Sequence, residues 1–158
     1  MSSAWNSIRL RRPMVPWHTL VWFPNHIPRA SFILWLAINR RLSTQDRLRS
    51  PTPGVGCLFC NGQLNSHAHL FFDCSPIFDI WTEVLHHGAI LVPSLPWPDL
   101  ISWMSSTWKG RTLDIIDQKL CLAAMVYTIW NERNKRYHEN SVRRSDDIVL
   151  SIANLVRE

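Results

Sequence analysis

The sequence predicts an all-α fold, a compact multi-helix domain arranged around one long helix near its C-terminus. Three observations carry this prediction. Leu113, Ile116, Leu120, Ala123, Tyr127 and Trp130 recur at alternating steps of three and four, which is the period of a helix and not of a strand. Helix-start signals precede several apolar stretches: Pro28, Ser75-Pro76 and Ser145. No internal repeat, glycine-rich phosphate loop or low-complexity segment interrupts the pattern.

In chain order, Ser3 to Arg9 reads as the tail of a helix. Pro13, Pro16, Pro24 and Pro28 prevent residues 13–28 from forming one helix, because proline lacks the N–H and clashes with the preceding turn. Between them Trp17, Leu20, Val21, Trp22 and Phe23 form a short helical or extended piece against the core. Pro28 opens a helix through about Arg41, with Phe32, Ile33, Trp35, Leu36 and Ala37 as a wide apolar face. Arg40 and Arg41 suit its C-terminal end through the macrodipole. Ser43 or Thr44 caps a short helix through Leu48, which Ser50-Pro51-Thr52-Pro53-Gly54 ends. Ser75-Pro76 starts a helix to about His87, lined inside by Ile77, Ile80, Trp81, Val84 and Leu85. Pro93, Pro96 and Pro98 mark a loop, and Asp99 to Trp108 follows as a short helix that Gly110 breaks. The long helix runs from Leu113 to about His138. Leu122, Val126 and Ile129 give it a second apolar row, so it is contacted on two sides. Ser145 caps the last helix, to about Arg157.

Between these helices lies Cys57-Leu-Phe-Cys60-Asn-Gly-Gln-Leu-Asn-Ser-His67-Ala-His69-Leu-Phe-Phe-Asp-Cys74. A C-x2-C pair followed by His and a third Cys supplies three soft thiolates and one imidazole, the donor set of a closed tetrahedral zinc site. Asn61-Gly62 behind the second cysteine tolerates left-handed backbone, which lets nearby N–H groups point at the thiolates. Two histidines compete for one ligand place. If Ser66 caps a helix starting at His67, His67 stands roughly 10 Å of axial rise from Cys74 and His69 roughly 7–8 Å. The shorter span selects Cys57, Cys60, His69 and Cys74 as ligands and leaves His67 as a surface or supporting residue. Cys121, flanked by Leu120 and Leu122, reads as a small core residue. A zinc knuckle over residues 57–74 is therefore expected, with room for a short β-hairpin. A disulfide is disfavoured because no secretory signal accompanies the cysteines.

The 158 residues are 46% hydrophobic and 18% charged, a globular composition with enough apolar residues for a core. The longest strongly apolar uncharged run, Leu120 to Asn131, is too short to span a bilayer, so a soluble intracellular protein is expected. The net charge of +5 is unevenly spread. Residues 1–50 hold eight arginines against Asp46 alone, a local +7, whereas residues 51–108 hold four acids and no Lys or Arg.

Co-linear segments carry a resemblance. Trp17-His18-Thr19-Leu20-Val21-Trp22, Ile27 to Leu36 and Arg41 to Leu48 precede the Cys/His stretch; Trp81 and Ile129-Trp130-Asn131-Glu132-Arg133-Asn134 follow it. Together they resemble the reverse-transcriptase zinc-binding domain of plant LINE-type retroelement proteins. The resemblance implies the same four zinc ligands, one domain over residues 1–158, and a polyprotein origin. A polymerase precedes this region in such proteins and a ribonuclease H often follows; neither is expected within residues 1–158. The family often has Glu shortly before the His, where this chain has Asn65.

Two functions follow as expectations. The first is an accessory domain that binds RNA or DNA without catalysis, with Arg9, Arg11, Arg12, Arg40, Arg41, Arg47 and Arg49 as phosphate contacts. The second is a zinc-stabilised scaffold or protein-interaction module. No enzyme is expected, since zinc with four protein ligands keeps no open position for water. Asp146-Asp147 follows Ser145 as ordinary helix-start acids, and His86-His87 reads as a surface pair at a helix end.

Overall fold

The computed structural model describes residues 13–47, 56–62 and 66–157. Its elements are α1 (His18–Val21), α2 (Pro28–Ile38), a 3-10 turn (Gln45–Arg47), a π turn (His69–Asp73), α3 (Ser75–His87), α4 (Trp97–Thr107), α5 (Leu113–Glu139) and α6 (Ser145–Arg157). No strand occurs among the described residues, so the short hairpin allowed for at the zinc knuckle is not seen there, and residues 58–60 form a turn. The helix expected over residues 3–9 lies outside the described residues.

The 27-residue α5, about 40 Å long at 1.5 Å per residue, is the axis of the fold. It packs most extensively against α2 and α6, and touches α1 and α3 as well. Residues 122–126 are all buried, which requires neighbours on more than one side. That is the packing expected from two apolar rows. Its outer end is the exception to the periodic pattern: Leu113 keeps the period but is 78% exposed.

Pro28 begins α2 with its missing N–H where no intrahelical bond is due. Its buried stripe is Ala30, Ser31, Leu34 and Ala37, mostly small residues that let it lie close to α5. Phe32 stays exposed, and Ile33, Trp35 and Leu36 are half-buried, so the buried face is narrower than the sequence suggested. The helix also stops at Ile38, three residues before its expected end. The Asn39 amide donates to the Trp35 carbonyl at 2.7 Å, and Arg40 takes left-handed backbone with φ 51°. Arg40 and Arg41 thus follow the helix and are not part of its last turn.

The other boundaries move less. A 3-10 turn at Gln45–Arg47 replaces the short helix expected to run to Leu48, with Arg47 N–H donating to the Thr44 carbonyl at 3.0 Å. The α4 helix starts at Trp97, taking Pro98 into its first turn. Within α3, Ile77, Ile80, Trp81 and Val84 are buried as expected. Its Cys74 carbonyl accepts from the Ile77 and Phe78 N–H groups at 3.0 and 2.8 Å, so Cys74 is the N-cap residue in place of Ser75. No described helix is long and apolar enough to cross a membrane.

Candidate metal centre

Local backbone rules bring the four donors together. At the first pair, Asn61 closes a turn by donating its N–H to the Cys57 carbonyl at 2.8 Å, in left-handed backbone with φ 55°. Phe59 N–H donates to Cys57 Sγ at 3.5 Å, and Cys60 N–H also faces that sulfur. Gly56 permits the turn to close on itself, because a Cβ there would stand 2.5 Å from the Gly62 carbonyl oxygen. Neither Gly56 nor its role was legible from spacing alone.

At the second pair, Ser66 Oγ accepts the His69 N–H at 3.1 Å, the N-cap bond the sequence predicts. The following turn is of π type, closing with i→i+5 bonds, a form that recurs at functional sites. That wider turn brings His69 and Cys74, five residues apart, to one side. Cys74 leaves the turn in extended backbone (φ −85°, ψ 113°) as the first residue before α3. Its sulfur therefore sits at a helix N-terminus, where the dipole favours a thiolate.

The Sγ atoms of Cys57 and Cys74 lie 3.7 Å apart, and Cys60 Sγ lies 3.3 Å from His69 Nε2. All four donor atoms fall within 4.8 Å of one another. A tetrahedron with Zn–S near 2.3 Å and Zn–N near 2.0–2.1 Å has S···S edges of about 3.8 Å and S···N edges of about 3.5 Å. The donors fit zinc in number, chemistry and spacing. Cys57, His69 and Cys74 are buried, and Cys60 is half-exposed, which leaves the ion a short path from solvent.

Burial and sulfur contact split the two buried thiols. A hydrogen bond from Cys74 holds Cys57 down to about 4 against the opposing effect of burial, helped by the Cys60 and Phe59 N–H groups. The same hydrogen bond and burial push Cys74 well up. One proton is thus held between two sulfurs, and a divalent ion would displace it.

His67 stays outside the cluster. It is buried against Phe71 and Trp97, at ring-centroid distances of 5.1 and 6.2 Å, and so is not a surface residue. Burial, and then the Arg40 charge, lower its pKa to about 4. Cys121 also lies apart; burial and then Asp117 raise its thiol to about 11. His86 and His87 are exposed, as expected of a helix end.

Distant residues hold the centre in position. From α5, Arg136 Nη1 donates to the Leu58 carbonyl at 3.0 Å, and its guanidinium lies 4.2 Å from the Phe59 ring centroid. Fully buried Glu132, one turn earlier, accepts from Arg136 Nε at 2.8 Å, Arg143 Nε at 2.7 Å and Arg143 N–H at 3.1 Å. Burial pushes the Glu132 carboxyl up, but the bonds from Arg143 and Arg136 outweigh it and hold it below its ordinary range. Three thiolates on a divalent ion leave one net negative charge, and Arg136 stands beside the loop that would carry it. The i,i+4 spacing of Glu132 and Arg136 is the one sequence signal for this network.

Of the expected phosphate contacts, Arg40, Arg41 and Arg47 are exposed around the end of α2 and the 3-10 turn, whereas Arg9, Arg11, Arg12 and Arg49 lie outside the described residues. Arg40 and Arg47 line a groove of about 1120 Å³ beside the π turn and α3, walled by Phe72, Trp81 and Trp97.

A family model described as zinc-binding in reverse transcriptase matches residues 1–81, a stretch that includes all four donors and ends inside α3. No curated protein and no solved structure matches the chain. With more than half of its length matched and a Cys3His cluster of zinc dimensions in the matched part, the chain belongs to the family of zinc-binding domains in reverse transcriptase.

Proposed function

We propose that this chain is a non-catalytic nucleic-acid-binding module, in which zinc fixes the knuckle and exposed arginines contact phosphate. The reading extends to one domain over residues 1–158 and to descent from a LINE-type retroelement. The observation that carries it is the cationic end of α2. Arg40, Arg41 and Arg47 are exposed, and none forms an ion pair with a carboxylate among the described residues. Residues 13–45 contain no acid at all, and Asp46 is the sole one before Asp73. Solvated cations of this kind attract phosphate by releasing its condensed counterions. Absence of catalysis is supported by the donor set: four protein ligands complete a tetrahedron and leave no position for an activated water.

Titration of zinc-loaded protein against RNA and DNA at several salt concentrations tests the reading. Affinity is expected to fall with salt, by about 0.9 log units per log unit of salt for each duplex phosphate neutralised and about 0.7 for each on a single strand. Replacing Arg40, Arg41 and Arg47 together by Gln flattens that slope while zinc content stays at one ion. Folded, zinc-loaded protein with no salt-dependent binding to any nucleic acid would refute it.

A scaffold or protein-interaction module is the second reading, and the large groove favours it. Exposed Phe78, Leu91 and Leu95 line that groove, an apolar surface suited to a protein partner.

A further inference from the structure

The outward side of α2 carries an exposed aromatic ring, Phe32, beside Trp35, which packs against the core with part of its surface left open. The helix buries Ala30, Ser31, Leu34 and Ala37, whereas Phe32 is 51% exposed and Trp35 half-buried. Their rings stack on one another, with centroids 5.7 Å apart and planes 27° from parallel. The Arg41 guanidinium lies over the Trp35 ring, 5.6 Å from its centroid. Isolated exposed apolar residues are ordinary. A ladder of stacked phenyl and indole rings with a guanidinium over the indole is a more specific feature, since an exposed ring face can extend a stack of flat rings.

The turn after α2 adds two arginines, of which Arg41 meets the ladder. Left-handed Arg40 reverses the chain direction, so that Arg40 lines the groove with Arg47 while Arg41 folds back over Trp35. The last carbonyls of α2 present about half a negative charge, which the two adjacent guanidiniums outweigh. Asp46 and Asp73 also line the groove, so its wall is not uniformly cationic. The exposed Arg40 and Arg41 stand at the end of α2, in a stretch, residues 13–45, that holds no acid.

We infer that the exposed face of α2 binds a single-stranded nucleic acid, with an unpaired base stacked on Phe32 at the open end of the Phe32–Trp35 ladder and the adjoining phosphates held by Arg40 and Arg41. This rests on the nucleic-acid reading above and narrows it. A duplex buries the faces of its bases and offers Phe32 nothing to stack on, whereas a single strand exposes them. Stacking also tolerates any base, so weak sequence preference is expected.

Fluorescence anisotropy of the full zinc-loaded chain with oligouridine, oligothymidine and a mixed-sequence duplex tests this. Phe32 is exposed, so Phe32→Ala leaves the fold and zinc content intact. It should weaken single-strand binding about five- to 150-fold, the range for losing one stacked base, without changing the salt slope. Phe32→Tyr should restore binding, and Arg41→Gln should lower the single-strand salt slope by about 0.7. If salt-dependent binding persists but Phe32→Ala leaves it unchanged, or the duplex binds as tightly as the single strand, the α2 face is overturned and the broader reading stands. Loss of self-association in Phe32→Ala, with nucleic-acid affinity intact, would reassign the face to a protein contact and overturn it too. No salt-dependent binding to any of the three probes overturns both.

Discussion

Arg136 and Leu58, 78 residues apart, are joined by a 3.0 Å hydrogen bond from the guanidinium to the backbone carbonyl between the two cysteines of the first pair. The long helix therefore grips the loop that presents Cys57 and Cys60, and Glu132 fixes the gripping side chain. The family match ends at residue 81, so the grip comes from beyond the matched stretch. Zinc chemistry and helical core are thereby coupled, although neither set of residues is close to the other in sequence.

Replacing Arg136 by Met keeps much of its apolar contact with Phe59 but removes its bonds to Leu58 and Glu132. The expected loss is about 2–4 kcal/mol, since a nearly buried ion pair is broken on one side and Arg143 retains the other. Zinc affinity should fall about tenfold, the lower range for removing a group that orients ligands. Denaturant unfolding and competition with a chromogenic chelator read the two effects separately. An unchanged zinc affinity would mean that the knuckle holds its shape without α5.

The pH dependence of Glu132 has a definite sign. Its carboxyl is held below the ordinary value of 4.5 in the folded chain, so the unfolded chain binds that proton first as pH falls. The stabilisation is present above about pH 4.5 and disappears as pH drops toward the folded value. Glu132→Gln should cost about 3 kcal/mol at neutral pH, because Arg136 and Arg143 lose their shared partner. Below pH 4.5 the two proteins should converge. Acid also releases zinc, so both proteins are compared zinc-free in chelator, and the difference between their unfolding curves isolates the carboxyl. A constant difference across the range would show that Glu132 is not the group titrating.

Much of this arrangement was legible in the chain. Pro28 and Pro76 announce helix starts because the first turn does not need their missing N–H, and the structure begins helices at these points. Ser66 as cap and His69 as donor follow from rise per residue, and the 3.1 Å Ser66 bond supports that geometry. The end of α2 was not legible. Arg40 adopts a left-handed conformation without being glycine, and the Asn39 amide that stops the helix competes only weakly in sequence terms. The π turn was not legible either. Neither was the Arg136–Leu58 bond: Arg136 looks like any charged residue on a helix until the chain between them has folded.

Zinc content gives the most direct test of the ligand set. Purified wild-type protein should carry one zinc. Replacement of Cys57, Cys60 or Cys74 by Ser, or of His69 by Ala, should abolish stoichiometric binding. His67→Ala and Cys121→Ala should retain it, because both side chains lie outside the four-donor cluster. Metal analysis by plasma emission decides the matter, and zinc lost from His67→Ala but kept by His69→Ala would reverse the histidine assignment.

Removing zinc separates the knuckle from the helical core. Zinc-finger peptides gain roughly 10–16 kcal/mol of apparent free energy from the metal and unfold without it. Here the contacts of α5 with α2 and α6 involve none of the four ligands, and Leu122, Ala123, Val126 and Ile129 remain fully buried among them. Chelation should therefore raise amide exchange around residues 56–62 and 66–74, which carry all four ligands. It should also reach Ser75 to Phe78, because Cys74 caps α3 and its carbonyl accepts from Ile77 and Phe78. Residues 120–130 should stay protected, and most helical circular dichroism should survive. Exchange measured by mass spectrometry with and without chelator resolves these segments. Loss of protection throughout α5 would mean that the Arg136 grip transmits the whole of the zinc free energy to the core.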